Sequence, residues 1–187
     1  LKPSGARWIV DYFRFMRTSP LSRAMPWMAF DVMEHLSSRL KPQHALFEWG
    51  SGGSTLFFSR LVGSVVSVED DPEYFAKVQA TLSEQGVGNV SYSHIPGEKL
   101  ESPPAREATD EDVMGYFLYD FLRQFDLTFE RYVRRIEDFE DARFDCIATD
   151  GRARACCIRH AIKKLKAGGI MVIDNSDRDW YEPGIKM

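Results

Sequence analysis

Short apolar runs alternate with amphipathic stretches along most of the chain after residue 43. The apolar runs are rich in β-branched and aromatic residues and end at polar or glycine-rich turns, which is typical of strands. The predicted strands are residues 44–49, 64–69, 89–95, 143–149 and 169–174. The predicted helices between them are residues 53–62, 72–85 and 153–167. Strands and helices that alternate at this spacing connect by right-handed crossovers. The pattern therefore predicts an α/β fold with a doubly wound, mostly parallel sheet and helices on both faces.

Polar and small residues mark the ends of two of these helices. Asp71 is suited to the N-cap of the helix after the second strand, and Pro72 to its first position. Gly168 and Gly169 follow the last predicted helix, and glycine is the usual residue just past a helix end. The helix of residues 72–85 is therefore expected to begin at Pro72, and the last predicted helix to stop at Gly168 and Gly169.

Two segments lie outside the alternation. Residues 1–43 have apolar residues at helical spacing, and Pro26 is suited to a helix start, so this segment is predicted to pack as helices on a core domain of residues 44–187. Residues 96–142 interrupt the third and fourth strands with an acidic loop and a predicted helix, and form a candidate lid or partner surface. Either segment could support a homo-oligomer. The aromatic stripe of the insertion comprises Tyr116, Phe117, Tyr119, Phe121, Phe125, Phe129 and Tyr132.

Composition narrows the class of protein. With 187 residues and 44% apolar content, the chain is expected to fold as one domain with a substantial core. A net charge of -4 argues against a nucleic-acid partner, which normally requires a basic face. No apolar run reaches the roughly 18 residues of a membrane span. The cysteines, Cys146, Cys156 and Cys157, have neither disulfide-framework nor zinc-site spacing, so we expect reduced thiols and a cytoplasmic location.

A glycine-rich turn, FEWGSGGSTLFF, joins the first predicted strand to a helix at residues 47–58. Such a turn brings backbone N–H groups close to a ligand. A phosphate loop would need a lysine after the last glycine, where Ser54 and Thr55 stand instead. A dinucleotide fingerprint needs a third glycine at Thr55, which disfavours that ligand but leaves it open. Glu48 would repel a pyrophosphate and suits a cationic ligand without phosphate, such as S-adenosylmethionine.

Glu69 ends the second strand about 20 residues after the first, where a carboxylate can accept hydrogen bonds from both hydroxyls of a ribose. Asp70 and Asp71 follow it, and Asp71 is better explained as the helix cap. The alternative for Glu69 alone is a solvated charge at a strand end. The glycine turn beside it favours the ribose.

At this point the chain resembles the class I S-adenosylmethionine-dependent methyltransferases. It is especially similar to a bacterial-type subgroup that carries FEWGSGGSTLFF, VVSVEDD, FDCIATDGRAR and GGIMVIDNSDRDWY in this order. The resemblance spans residues 26–181 and implies a Rossmann-like fold with S-adenosylmethionine as cofactor. It implies contacts to the methionine part at the glycine turn, to the ribose at Glu69, and near the adenine after the third strand. The implied cofactor residues are Glu48, Gly50, Ser51, Gly52, Thr55, Glu69, Asp70, His94, Ile95 and Asp150.

Oxygen-bearing side chains end the fourth and fifth strands. Asp150, Asp174 and Asn175 lie at neighbouring strand ends in this architecture, and together they could hold Mg²⁺. The pattern is similar to that of the catechol-type O-methyltransferases, where the metal holds two substrate oxygens. The alternative is that these residues cap helices or turns. Nearby arginines favour an anionic substrate or pairing with these acids: Arg152, Arg154 and Arg178.

The resemblance implies O-methylation of a small-molecule or glycan hydroxyl by in-line methyl transfer, with Asp150 as the predicted base. Two alternatives stay open: a nonenzymatic or degenerate Rossmann-like interaction domain, and an NAD(P)-linked oxidoreductase. In the family, a helix and a two-stranded hairpin follow the fifth strand. Few residues follow Asp174 here, so we expect the hairpin to be absent or truncated, which favours the interaction domain.

Overall fold

The computed structural model describes residues 20–101 and 127–187. The start of the predicted N-terminal helical segment and most of the aromatic stripe of the insertion lie outside the described residues.

A parallel sheet forms the centre of the protein. In chain order the strands are β1 (Ala45–Trp49), β2 (Ser64–Glu69), β3 (Val90–His94), β4 (Glu98–Lys99), β5 (Leu127–Thr128), β6 (Phe144–Thr149) and β7 (Leu165–Ile173). Five of them form the parallel sheet in the order β3-β2-β1-β6-β7, and β4 pairs with β5 as a separate antiparallel ribbon. The predicted α/β fold with a doubly wound sheet is confirmed. Strand order reverses between β1 and β6, so a crevice is expected at their carboxyl ends.

Helices cover both faces of this sheet. They are α1 (Pro20–Arg23), α2 (Phe30–Arg39), α3 (Gly53–Ser59), α4 (Pro72–Glu84), α5 (Glu130–Arg134), α6 (Arg154–Ala161) and α7 (Glu182–Ile185), with short 3₁₀ turns at Arg135–Asp138 and Asp179–Tyr181. On one face Trp49 packs with Tyr132 of α5. On the other face Leu46 packs with Leu36 of α2 and Phe58 of α3. Within the described residues, none of the helices combines the length and apolar character needed to cross a membrane.

The central strand β1 is buried along its whole length, as expected for a parallel strand covered on both faces. Successive side chains point to opposite faces. Phe47 and Trp49 therefore belong to the α5 and α6 side, whereas Leu46 belongs to the α2 and α3 side. Glu48 shares the parity of Leu46, and this determines where its carboxylate lies.

Helix α4 begins as predicted. The Asp71 carboxylate accepts a hydrogen bond from the Tyr74 N–H at 2.7 Å, and Pro72 is its first residue. Helix α2, by contrast, begins at Phe30 rather than at Pro26. The preceding turn packs on α3, where the carbonyls of Pro20 and Met25 approach Gly53 so closely that no side chain would fit there.

The predicted helix 153–167 is too long, because α6 ends at Ala161. Leu165 instead pairs with Phe144 in the sheet, and the Phe144 N–H donates to the Lys164 carbonyl at 3.0 Å. Sheet pairing thus outweighs the helical propensity of this stretch. Gly168, expected to stop the helix, has φ +77° and lies within an irregular part of β7.

Candidate functional site

A crevice of about 390 Å³ lies at the carboxyl ends of β1, β2 and β6. Its lining residues come from the glycine turn, the end of β2, the start of α4, and the loop between β6 and α6 with the first residue of α6: Gly50, Ser51, Glu69, Asp70, Asp71, Tyr74, Asp150, Gly151, Arg152 and Arg154. This is the switch point of the sheet, where open α/β folds bind ligands. Five of the predicted site residues meet here: Gly50, Ser51, Glu69, Asp70 and Asp150.

The backbone N–H groups from Gly50 to Gly52 already have partners inside the protein. The Gly50 N–H donates to the Val68 carbonyl at 2.9 Å, and the Ser51 N–H to Glu69 Oε2 at 3.0 Å. The Gly52 N–H donates to Thr55 Oγ1 at 3.0 Å. A ligand in the crevice would therefore exchange with existing hydrogen bonds.

Close contacts within the chain explain two of the glycines. A Cβ on Gly50 would lie 2.6 Å from the backbone nitrogen of Gly151, where the β1 and β6 loops meet. A Cβ on Gly52 would lie 2.7 Å from the Tyr74 hydroxyl, and the φ of +147° at Gly52 would be strained for any residue other than glycine. The glycines bring protein groups together, including the Tyr74 ring, at the place where the sequence predicted a ligand.

Glu48 lies beneath the turn, on the α3 side, and only 1% of its surface is exposed. Its Oε2 accepts hydrogen bonds from Thr55 Oγ1 and Ser67 Oγ, both at 2.7 Å. Burial raises the pKa of Glu48 to about 7, and hydrogen bonds from Ser54, Thr55 and Ser67 oppose that rise. Glu48 and Thr55 were predicted to contact the cofactor, but the structure does not place them on the wall of the crevice.

Glu69 lies in the wall of the crevice with 5% of its surface exposed. Its Oε2 accepts from the Ser51 N–H at 3.0 Å and from Ser51 Oγ at 2.6 Å. Its Oε1 accepts from the N–H groups of Asp70 and Asp71, both at 3.0 Å. A carboxylate has about four lone-pair sites, so all of those on Glu69 are in use.

Aromatic side chains extend this network toward β3. The Tyr92 hydroxyl lies 2.6 Å from Ser51 Oγ, and it donates there because the Ser51 hydroxyl donates to Glu69. The Tyr92 ring stacks on Phe75 at 4.5 Å between centroids. His94 contacts the other end of this group, with its Nε2 3.1 Å from the Asp70 carbonyl and its ring 5.3 Å from Phe75.

The two residues predicted near the adenine do not line the crevice. His94 lies behind Asp70, as described. The Ile95 N–H donates to the Glu69 carbonyl at 2.8 Å, and the Ile95 side chain borders a second cleft beside α5. The prediction that both contact a cofactor is untested.

An ion pair spans the crevice. Arg152 Nε lies 3.1 Å and 3.3 Å from the two carboxylate oxygens of Asp70. It thereby links the ends of β2 and β6 above the glycine turn. Burial raises the pKa of Asp70, and the Arg152 guanidinium opposes that rise.

The three predicted metal ligands do converge, but on the guanidinium of Arg154. Arg154 Nη2 donates to Asp150 Oδ1 at 2.8 Å. Arg154 Nη1 lies 3.2 Å from Asn175 Oδ1 and 3.4 Å from Asp174 Oδ2. A group of three acidic, histidine or cysteine side chains that could hold a metal is absent from the described residues. Because the Arg154 guanidinium already lies among these oxygens, the residues as arranged do not fit a resident Mg²⁺, and they support the pairing of these acids with arginine.

The Asp150 carboxyl lies beside the Arg154 guanidinium and near a second carboxylate, Asp174. Burial raises its pKa to about 7; Arg154 acts in the opposite direction, and the nearby Asp174 raises it further. Its side chain is nevertheless 44% exposed, so it is accessible from the crevice.

Ser67, Tyr74 and Tyr92 belong to this site but were not predicted from the sequence. Ser67 could have been found, because a serine inside a buried apolar strand needs a hydrogen-bond partner, and its strand neighbour in register is Glu48. Tyr74 lies in the first turn of α4, which starts at the crevice edge of β2. Tyr92 carried no such signal.

Solved structures of several methyltransferases share this fold. An rRNA methylase from Streptococcus thermophilus matches with a TM-score of 0.54 and 12% identity, over 83% of this chain and 76% of that protein. SMU.1697c of Streptococcus mutans, assigned as a methyltransferase and solved in complex with SAH, matches with a TM-score of 0.52 and 13% identity, over 80% and 73%. This chain has their fold.

A precorrin-8w decarboxylase from Methanobacterium thermoautotrophicum also matches, with a TM-score of 0.51 and 17% identity, over 79% of this chain and 63% of that protein. The chain spans about half the length of some other solved structures that it resembles. No protein-family model matches the sequence, and no curated protein is similar enough to count as a relative. Identities this low establish the fold alone.

Proposed function

We propose that this chain binds S-adenosylmethionine in the crevice and transfers its methyl group to a hydroxyl of a small molecule or glycan. The observation that carries the proposal is the Glu69 carboxylate, which ends β2 in the crevice wall beside the glycine turn. In doubly wound sheets this is the position that receives the hydroxyls of a ribose. The shared fold with methyltransferases supports the same cofactor.

The charges around the crevice favour this cofactor over a dinucleotide. The crevice is lined by two guanidinium groups, those of Arg152 and Arg154, and by four carboxylates: Glu69, Asp70, Asp71 and Asp150. The surplus of negative charge suits a ligand with a sulfonium and an amine, and it repels the pyrophosphate of a nicotinamide dinucleotide. The oxidoreductase alternative is therefore disfavoured.

The chain's own residues can position the reactants and move one proton. S-adenosylmethionine, when bound, supplies the electrophilic methyl group. Methyl transfer is an in-line displacement, so the main requirement is to hold the acceptor oxygen close to that methyl group in a confined site. Asp150 is exposed toward the crevice and has a pKa of about 7, so it is suited to take the proton that the acceptor hydroxyl loses.

A small-molecule or glycan acceptor is favoured over RNA, although one protein of similar fold is an rRNA methylase. The net charge is -4. The arginines of the second cleft have carboxylate partners: Arg131 with Glu98, Arg134 with Glu130 and Glu137, and Arg135 with Asp138. Paired arginines offer little attraction to a phosphate backbone. The cytoplasmic location and a homo-oligomer through the N-terminal or insertion helices remain predictions.

A nonenzymatic interaction domain is the second candidate. It is favoured by the paired state of the crevice, where the turn amides from Gly50 to Gly52 and the Glu69 carboxylate all have partners within the chain. A domain that had kept the fold but lost its ligand would be expected to close its site in this way.

Calorimetric titration distinguishes these functions. We expect S-adenosylmethionine and S-adenosylhomocysteine to bind, and NADH not to bind. Binding of NADH alone would favour the oxidoreductase, and binding of none of the three would favour the interaction domain. Turnover is then tested by incubating the protein and S-adenosylmethionine with panels of hydroxylated small molecules and glycans. The expected product has gained the mass of one CH₂ group.

A further inference from the structure

The loop after β6 directs Arg154 back across the strand ends. Arg154 is the first residue of α6, and Ala153 before it has φ +48°. A residue other than glycine seldom adopts this left-handed conformation, so the surrounding contacts must hold it. The Arg154 side chain is only 10% exposed, and its guanidinium lies 5.3 Å from the centre of the Tyr181 ring. The position of this arginine is therefore determined by the fold.

The guanidinium meets an oxygen on each of its donor sides. Besides the Asp150, Asp174 and Asn175 side chains, it donates from Nε to the Gly151 carbonyl at 3.1 Å. Its Nη1 and Nη2 also donate to the carbonyls of Asp174 and Asp150 at 2.6 Å and 2.8 Å. Carboxylate, amide and carbonyl oxygens are the ligands that Mg²⁺ or Ca²⁺ prefers, but here one planar cation holds them.

A divalent ion could not join this arrangement without displacing the arginine. Mg²⁺ binds oxygens at about 2.0–2.1 Å in octahedral geometry, closer than any donor–acceptor distance around Arg154. Its charge would also repel a guanidinium a few ångströms away, because the interaction of like charges is strong at a partly buried site.

We propose that Arg154 permanently takes the place of a divalent cation at the ends of β6 and β7. It acts as a positioning residue that holds Asp150 and Asp174 together without metal. The acceptor is then not held as a chelate through two neighbouring oxygens, so a single hydroxyl suffices. The statement about the acceptor rests on the proposed function, whereas the statement about the metal does not.

Thermal unfolding without cofactor or acceptor tests the substitution of arginine for metal. The variants are Arg154→Ala, Arg154→Lys and, as a control that removes the same charge beside the same crevice, Arg152→Ala. Each is melted with MgCl₂, with CaCl₂, and with NaCl at matched ionic strength. We expect Arg154→Ala to unfold at lower temperature in NaCl and to gain about 3–5 °C in about 10 mM divalent salt, since a ligand that binds only the folded state stabilises it.

The wild type, Arg154→Lys and Arg152→Ala should show no gain specific to divalent ions. A residue with a merely structural role would lower the Tm without creating a response to metal. A folded Arg154→Ala variant that ignores both ions would therefore overturn the proposal.

A second measurement uses the wild type, so it does not depend on the folding of a variant. The signal of free Mn²⁺ in electron paramagnetic resonance is titrated with the wild-type protein and with Asp174→Asn. We expect no binding that distinguishes the two proteins. Millimolar or tighter Mn²⁺ binding by the wild type that is lost in Asp174→Asn would contradict the proposal. Because no cofactor is present, either failure would leave the binding of S-adenosylmethionine untouched.

Discussion

Glu48→Gln should stabilise the protein at neutral and alkaline pH. Glu48 is 1% exposed, and its pKa is raised by burial to about 7. Above that pH it must be ionised inside the protein, which costs free energy. Glutamine has the shape of the protonated acid, and its carbonyl oxygen can accept the hydrogen bonds that Thr55 and Ser67 now donate to Oε2. The substitution therefore removes the buried charge and keeps the packing.

The magnitude follows from the pKa of Glu48 in the two states. An acid whose pKa is higher when folded binds more protons in the folded state, so stability falls as the pH rises between the two values. Here the window runs from 4.5 to about 7. At about 1.4 kcal/mol per pKa unit, the raised pKa of Glu48 lowers the free energy of unfolding, relative to its value at low pH, by about 1 kcal/mol at pH 5 and about 3 kcal/mol at pH 8.

Urea unfolding at pH 5 and pH 8 measures this difference. We expect the free energy of unfolding of Glu48→Gln to exceed that of the wild type by about 1 kcal/mol at pH 5 and about 3 kcal/mol at pH 8. Glu48→Ala is the contrasting variant, because it leaves a cavity and removes the acceptor to which the Thr55 and Ser67 hydroxyls donate, and it should be less stable than Glu48→Gln at both pH values. Glu73→Gln, on the exposed side of α4, controls for the change in net charge.

Equal stability differences at pH 5 and pH 8 would refute the role of buried ionisation. The affinity of the variant for S-adenosylmethionine adds an independent check. Because the Glu48 carboxylate lies beneath the turn, we expect Glu48→Gln to bind the cofactor as the wild type does. A tenfold larger dissociation constant would mean that this carboxylate contacts the amine of the cofactor, as its place in the sequence predicted.

Two further predictions concern the crevice itself. Glu69→Gln should weaken the binding of S-adenosylmethionine by about 1–3 kcal/mol, because one charged acceptor for the ribose hydroxyls is lost. Calorimetry measures the affinity, with Glu73→Gln as the control. An unchanged dissociation constant would mean that Glu69 does not bind the cofactor. If Asp150 is the base, the rate of methyl transfer should rise with pH and level off above about 7, where this carboxyl is ionised. Asp150→Asn should abolish the rise. The same pH profile for the wild type and Asp150→Asn would mean that another group accepts the proton.

The sequence predicted the sheet well because each strand carried its own signal. Alternating apolar runs located all five parallel strands, and the acid at the end of β2 located a wall of the crevice. The sequence predicted the role of Glu48 less well. The motif places this residue near the ligand, whereas strand parity and the unnoticed Ser67 place its side chain on the other face of β1.

The position of the Arg154 side chain could not be predicted from the sequence. Its contact with Asp150 spans four residues, but only the left-handed conformation of Ala153 turns the arginine toward the ends of both β6 and β7. Alanine gives no sign in the sequence that it will adopt that conformation. The sequence therefore identified the three oxygen-bearing residues but did not determine whether a metal ion or an arginine holds them.

The hydrogen bonds that Glu69 already accepts limit how a nucleoside can bind in the crevice. With all its lone pairs in use, the carboxylate gains a ribose hydroxyl only by releasing a present donor. The Ser51 hydroxyl is the donor most easily released, because it can rotate away, whereas the three backbone N–H groups are fixed by the turns that carry them. Ser51 would then keep the Tyr92 hydroxyl as a partner. The exchange leaves the number of hydrogen bonds on Glu69 unchanged, so much of the affinity must come from the charge of the crevice and from contacts with the rest of the ligand. A ligand with a ribose but no cationic group should for that reason bind weakly, and adenosine should bind far less tightly than S-adenosylmethionine.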